Sequence, residues 1–264
     1  MRLAITHETV YRFEKPASRA IQTLRLTPRN TEAQLVHSWR IDVSQDCHLS
    51  PVEDAFGNLT HTFSIDGPID ELVIVASGEV VTEDTSGVLH ATRDRLPLMA
   101  LRRETERTRI EPAVRAFAEA VFAEQGRDPL STLHALMHRL HETITLDEEA
   151  ATAPPLAVLE NGRARGVDIA HLFAALARSI EIPARFVAGW LARGVRHHWI
   201  EAHVGPSLGW VGFDAIEDSC PTDAWIRCAA GLDALDTASV RGVRSHLGAE
   251  TETVRVTVRE VSRA

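Results

Sequence analysis

Residues 161–190, NGRARGVDIAHLFAALARSIEIPARFVAGW, read as loop, buried helix, turn and strand in one run. From Val167 the apolar residues Ile169, Leu172, Phe173, Leu176 and Ile180 recur at helical spacing, and Ala170, Ala174 and Ala175 permit close packing around them. Pro183 stops the helix, and Phe186-Val187-Ala188-Gly189-Trp190-Leu191 continues as a strand. A helix this apolar has to be enclosed, so the rest of the chain is read as what encloses it.

On the C-terminal side a turn at Arg193-Gly194 leads into His197-His198-Trp199-Ile200-Glu201-Ala202-His203-Val204. A second turn at Gly205-Pro206 leads into Gly209-Trp210-Val211-Gly212-Phe213-Asp214. Strand alternation puts His197, Trp199, Glu201 and His203 on one face. His197 opens one strand and Asp214 closes the next, an arrangement that can set an imidazole beside an orienting carboxylate. Such a pair serves a nucleophile, and the natural place for one is the N-terminus of the preceding helix. There the dipole and free N–H groups lower a thiol's pKa and stabilise an oxyanion. Trp225-Ile226-Arg227-Cys228-Ala229 and the alternating Thr253–Val258 close the chain as strands.

On the N-terminal side Pro112 begins a helix through Phe122, and Asp128-Pro129 opens another with Leu130, Leu133, Leu136, Met137, Leu140 and Ile144 on one side. His134, His138 and His141 on that second helix read as a solvated flank rather than a metal site. Residues 1 to about 85 are β structure, with short alternating runs at 2–11, 21–26, 36–43 and 59–65 and an apolar run at 72–76 followed by Gly78-Glu79-Val80-Val81. The reading is therefore α+β. An N-terminal antiparallel β-sandwich (1–85) is followed by a polar connector (86–111) and a core of buried helix packed on antiparallel sheet (112–264).

Composition bounds the function. The net charge is −9, from 28 Lys+Arg against 37 Asp+Glu, which disfavours nucleic acid and anionic membrane as partners. No apolar run reaches bilayer length, and the opening MRLAITHETVYRF alternates like a strand rather than a signal peptide. Cys47, Cys220 and Cys228 lack CxxC spacing and suit a reducing cytoplasm.

The chain resembles the bacterial transglutaminase-like proteins, which carry a β-rich N-terminal region before a papain-like core. Tyr11-Arg12-Phe13, Leu24-Arg25-Leu26-Thr27-Pro28-Arg29 and Phe56-Gly57-Asn58 look like the front region. Asp168-Ile169-Ala170-His171-Leu172, Ile182–Trp190, His197-x-Trp199-x-Glu201 and Gly209–Asp214 look like the core. The resemblance implies a Cys–His–Asp arrangement for amide hydrolysis or acyl transfer through a thioester. His197 matches the family's histidine and Asp214 its aspartate, with Asp168, His171, Trp199 and Glu201 in supporting or packing roles. The family reads roughly Gly-Val-Cys-Gln-Asp-Phe-Ala-His before the buried helix. Aligned on Asp168 and His171, Gly166 stands where the cysteine belongs. Alternatively Gly166-Val167 match the family's Gly-Val and two residues are deleted. Neither alignment leaves a Cys, Ser or Thr at the site, and glycine has no nucleophile.

Three functions compete. The leading one is a catalytically silent binding or regulatory homologue that takes a peptide or protein ligand in the former cleft, with no cofactor and no metal. The second is an amide hydrolase or acyltransferase that uses Cys220 in place of the missing thiol, or a water on zinc held among Asp168, His171, His197, Glu201, His203 and Asp214. The third is a structural protein that acts through its β region.

Overall fold

A computed structural model describes residues 1–89 and 95–261; part of the connector expected at 86–111 and the last three residues of the expected core lie outside them. In chain order the strands and helices are β1 (Arg2–Thr27), β2 (Gln34–Val43), β3 (Ser50–Glu53), β4 (Leu59–Thr82), β5 (Val88–Leu89), α1 (Pro112–Glu124), α2 (Pro129–Thr143), β6 (Thr145–Leu146), α3 (Pro155–Asn161), β7 (Arg163–Ala164), α4 (Gly166–Ser179), β8 (Ala184–Leu191), β9 (Val195–His203), β10 (Trp210–Phe213), β11 (Trp225–Gly231), β12 (Val240–Ser245) and β13 (Glu250–Glu260). The class is α+β with antiparallel sheets.

The front half is one six-stranded sheet built on two long strands rather than on the series of short ones expected. β1 and β4 pair along nearly their whole lengths, with register shifts between Arg12 and Ala17 and between Ala17 and Arg19. At Pro16 and Gly67-Pro68 the ribbon shifts register without ending the pairing. Gly67 is required there, because a Cβ on it would lie 2.1 Å from the carbonyl oxygen of Ala17. One buried cluster takes Leu3, Ile5 and Ile74 from one arm of this ribbon and Leu24, Leu26 and Phe63 from the other.

The C-terminal strands differ from the expected boundary as well. β13 pairs with β1 from Leu3↔Glu260 to Phe13↔Glu250, and β12 pairs with β1 from Arg19 to Leu24. Thus the tail assigned to the core at 112–264 completes the N-terminal sheet. Period-2 alternation identifies a strand but carries no information about its partner. The connector also contributes to the core, since β5 pairs with β10.

The core sheet has the order β11-β8-β9-β10-β5. Ile200 and Ala202 of β9 and Val211 and Phe213 of β10 meet α4, with α1, α2 and α3 packed around it. Trp190, Ile226 and Cys228 belong instead to the cluster of the N-terminal sheet. α4 is buried at every residue except Val167, its apolar stripe and alanines enclosed together with Asp168, His171 and Arg178. Its Leu172, Phe173 and Leu176 are 0–1% exposed, each contributing roughly 2–3 kcal/mol of transfer free energy. Asp128 caps α2 by accepting from Ser131 N–H at 2.8 Å. Among the described residues no helix is long and apolar enough to cross a membrane.

Candidate functional site: a histidine–aspartate pair beside the start of α4

β9 delivers His197 and the residue after β10 is Asp214; the sheet register pairs Phe213 with Ile200, so the two side chains come together at one end of adjacent strands. His197 Nε2 bonds Asp214 Oδ2. The other oxygen, Oδ1, accepts from the N–H groups of Ile216 at 3.0 Å and Glu217 at 3.2 Å. Trp225 Nε1–H donates to Oδ2 at 2.8 Å. The aspartate is 0% exposed and the histidine 6%. Trp199 stacks on His197 with ring centroids 6.2 Å apart, as alternation along β9 requires. Beside the pair, the bidentate bond from Arg193 holds the Glu217 carboxyl below its ordinary value.

Gly166 is the first residue of α4. Its N–H, one of the donors no helical carbonyl reaches, is met by Glu148 Oε1 at 3.1 Å. A Cβ built on Gly166 would lie 3.0 Å from that same oxygen and 3.0 Å from Ile216 Cδ1. Ile216 is also the residue whose N–H bonds Asp214, so it joins the helix start to the His–Asp pair. A side chain at this position would press on a carboxylate oxygen and an isoleucine methyl, both at the far ends of side chains.

The remaining residues singled out in the sequence are buried and bonded. Asp168, 1% exposed, accepts from Ala153 N–H at 3.3 Å and faces His171 Nδ1 at 3.7 Å. His171 Nε2 accepts from Ala234 N–H at 3.1 Å, which places the ring proton on Nδ1, toward Asp168. Its ring stacks on Phe186 at 4.8 Å. Glu201 is clasped by Arg185 and Arg227. Burial alone would raise its pKa; the two guanidinium groups outweigh that and hold it at about 2. Arg185 in turn lies over the Trp210 ring at 4.1 Å. Asp168 and His171 thus fasten the loop at 152–154 and the segment at Ala234 to α4, and the Glu201 cluster ties β8, β9 and β11 together.

Cys220 is half-buried, and burial pushes its thiol up to about 11. Its Cβ lies against Gly87, in contact with the helical core. Cys228 is enclosed and its sulfur contacts Arg25 O at 3.4 Å. Among the described residues no group of three or more His, Cys, Asp or Glu is arranged to hold a metal ion. The α2 histidines, expected on a solvated flank, partly face the Asp214 loop. His138 bonds Asp218, and His141 Nδ1 lies 3.2 Å from Ile216 O. His134 packs edge-on against Phe213.

Three neighbours escape sequence reasoning. Glu148 lies eighteen residues before the glycine it caps, in an acidic run that looks like ordinary loop. Ile216 and Trp225 reach Asp214 only through the folded loop after β10.

The fold and the buried His–Asp pair define a transglutaminase-like core behind a β-rich front region. Residues 3–81 match the bacterial transglutaminase-like N-terminal region and residues 115–215 match the transglutaminase-like superfamily. The chain belongs to that superfamily and carries the bacterial N-terminal region. It is 26% identical over 269 residues to an uncharacterized protein of Mycobacterium leprae, spanning 94% of this chain and 95% of that one. An uncharacterized protein of Mycobacterium tuberculosis is 26% identical over 276 residues, 92% of this chain and 87% of the other. A crystal structure of a proposed cysteine protease from Cytophaga hutchinsonii superposes with a TM-score of 0.77 at 17% identity, covering 100% of this chain and 92% of that one. At that identity the likeness concerns the fold.

Proposed function

We propose that this chain is a catalytically silent transglutaminase-like protein that works by binding. One observation carries the reading: α4 begins with glycine, and Glu148 Oε1 and Ile216 Cδ1 crowd the place a side chain would start, each 3.0 Å from a would-be Cβ. Hydrolysis or transfer through a thioester needs a thiolate at the imidazole, and no side chain leaves Gly166 to supply one. Burial pushes the Cys220 thiol up to about 11, which favours its protonated form at neutral pH and speaks against it as the substitute. The retained His197 and Asp214 then have a structural use, tying the loop after β10 to β9 and β11. A peptide or protein ligand is the occupant we assign to the region of the former cleft. The cytoplasm is the compartment that suits its three free cysteines.

The test is labelling of the whole chain with iodoacetamide across pH 5 to 9, mapped by mass spectrometry. We expect slow alkylation of all three cysteines with no inflection below pH 8 and no response to His197→Ala. Rapid labelling of Cys220 at neutral pH that disappears in His197→Ala would overturn the silent reading in favour of a relocated nucleophile.

A further inference from the structure

A cleft of about 260 Å³ opens beside α4, and its lining includes none of Gly166, His197 and Asp214. Its buried walls are Asp168 and His171 of α4 and Asp233, two residues past β11, all 1–5% exposed. Glu106, Pro154 and Leu235 line it as exposed residues, and Arg107 as a half-buried one. What distinguishes the cleft is a set of buried carboxylate oxygens that the fold leaves unbonded. Asp233 accepts from Leu235 N–H at 2.8 Å through Oδ1, and its Oδ2 has no hydrogen bond or ion pair among the described residues. Asp168 spends Oδ2 on Ala153 N–H, while its Oδ1 stands 3.7 Å from His171 Nδ1, longer than a hydrogen bond. The buried Arg178 attracts Asp233 from a distance, but gives its N–H groups to Ala184 O, Leu232 O and Thr108 Oγ1. Arg107, the cation that lines the cleft itself, makes no hydrogen bond or ion pair among the described residues.

Buried carboxylate oxygens without donors call for an occupant that supplies them. A metal ion is not that occupant, because among the described residues no three carboxylates, imidazoles or thiols are grouped to hold one. An anion would meet two buried carboxylates, and a simple cation would leave Arg107 unpaired. A zwitterion answers both. Its ammonium carries three N–H donors, enough for two carboxylates, and its carboxylate fits the planar fork of an arginine. Pro154 and Leu235 add apolar surface at the open side of the cleft. We propose that this cleft binds a free α-amino acid with an apolar side chain. The ammonium sits on Asp233 Oδ2 and Asp168 Oδ1, the carboxylate on Arg107, and the side chain against Pro154 and Leu235. Glu106 is exposed, where water and salt screen its charge from the ligand.

The site lies apart from the His–Asp pair, so it stands or falls independently of the silent reading. Isothermal titration of the full chain with L-leucine, L-leucinamide and 4-methylpentanoate separates the two charges of the ligand. We expect leucine to bind, leucinamide to bind at least severalfold more weakly, and 4-methylpentanoate, which lacks the ammonium, not to bind. Asp233→Asn keeps the shape and the acceptor for Leu235 N–H, and is expected to weaken leucine by at least about tenfold, the usual cost of losing a charge-assisted hydrogen bond. Arg107→Ala breaks no hydrogen bond or ion pair among the described residues, so it tests the other end should Asp233→Asn not fold. It is expected to weaken leucine severalfold and to leave leucinamide unchanged. Failure of leucine to bind, or binding of 4-methylpentanoate as tightly as leucine, would overturn the assignment. So would equal affinities for leucine and leucinamide, or unchanged leucine affinity in either folded variant.

Discussion

At the C-terminal end of α4 the Arg178 guanidinium is 1% exposed and donates to Ala184 O, Leu232 O and Thr108 Oγ1 at 2.8–3.1 Å. At the N-terminal end Gly166 offers no side chain, and its N–H is met by a carboxylate from a surface loop. The first end fixes a buried charge against three separate segments. The second, where the family keeps its reactive group, is closed by a residue that is 62% exposed at its side chain. The contrast teaches that one end of the central helix is held by buried contacts to several segments while the other rests on an exposed side chain. On the proposed silent reading, that looser end is where a reactive group would have stood.

Breaking the secure end has the largest expected effect. Arg178→Ala removes the donor to two backbone carbonyls and leaves a cavity, and is expected to cost on the order of 3–5 kcal/mol in urea unfolding. A loss under about 1 kcal/mol would mean that the two ends are not differently built.

The Arg185–Glu201–Arg227 cluster gives the next effect, and it depends on pH. Glu201 is held at about 2 in the folded protein, below an unfolded value of 4.5. Its contribution is therefore fully present above about pH 5 and declines as pH falls from there toward 2. Two and a half pH units correspond to about 3 kcal/mol. About 2 kcal/mol of that is lost between pH 6 and pH 3, and the rest only below that. Unfolding free energies from urea at pH 6 and pH 3 should therefore differ by about that amount, and Glu201→Gln should flatten the slope while lowering stability at pH 6.

Asp214→Ala follows, at about 2–3 kcal/mol, because Ile216 N–H, Glu217 N–H and Trp225 Nε1–H would all lose an acceptor. His197→Ala removes one bond and some stacking on Trp199 and should cost less. If instead Asp214→Ala is neutral, the pair is not retained for the fold, and a use for it in binding or catalysis has to be found.

Much of this was legible in the chain, for reasons that differ by residue. The stripe from Ile169 to Ile180 identified the central helix, because a period near 3.6 has few other uses. His197 and Asp214 could be paired in advance, since strand length and two turns fix which ends of β9 and β10 meet. The destination of β13 was not legible: its Val254, Val256 and Val258 mark an alternating strand, and its partner β1 lies more than two hundred residues away. Nor was the continuity of β1 through Pro16, where proline signals a break in local terms and the neighbouring strand overrides it. Within the site, the glycine at 166 is plain in the sequence, whereas nothing there marks Glu148 as the group that meets its N–H. An acidic loop residue reads the same whether it faces water or caps a helix.

The smallest stability effect belongs to Gly166→Cys, and it is the most direct probe of the N-terminal end. The new Cβ meets Glu148 Oε1 and Ile216 Cδ1, both the far ends of side chains, so the cost should stay within about 1 kcal/mol. Two fields would then act on the thiol in opposite directions. The start of α4 and any charge on His197 favour the thiolate, whereas the Glu148 carboxylate disfavours it. Gly166→Cys alone is therefore expected to alkylate slowly at pH 7. The Gly166→Cys/Glu148→Ala pair, freed of the carboxylate, should react about tenfold faster, the effect of about one pKa unit. Adding His197→Ala should return it to the slow rate. If the double variant folds and its thiol still behaves like one in solution, then the imidazole no longer addresses the helix start. The N-terminal end would then have lost its geometry as well as its nucleophile.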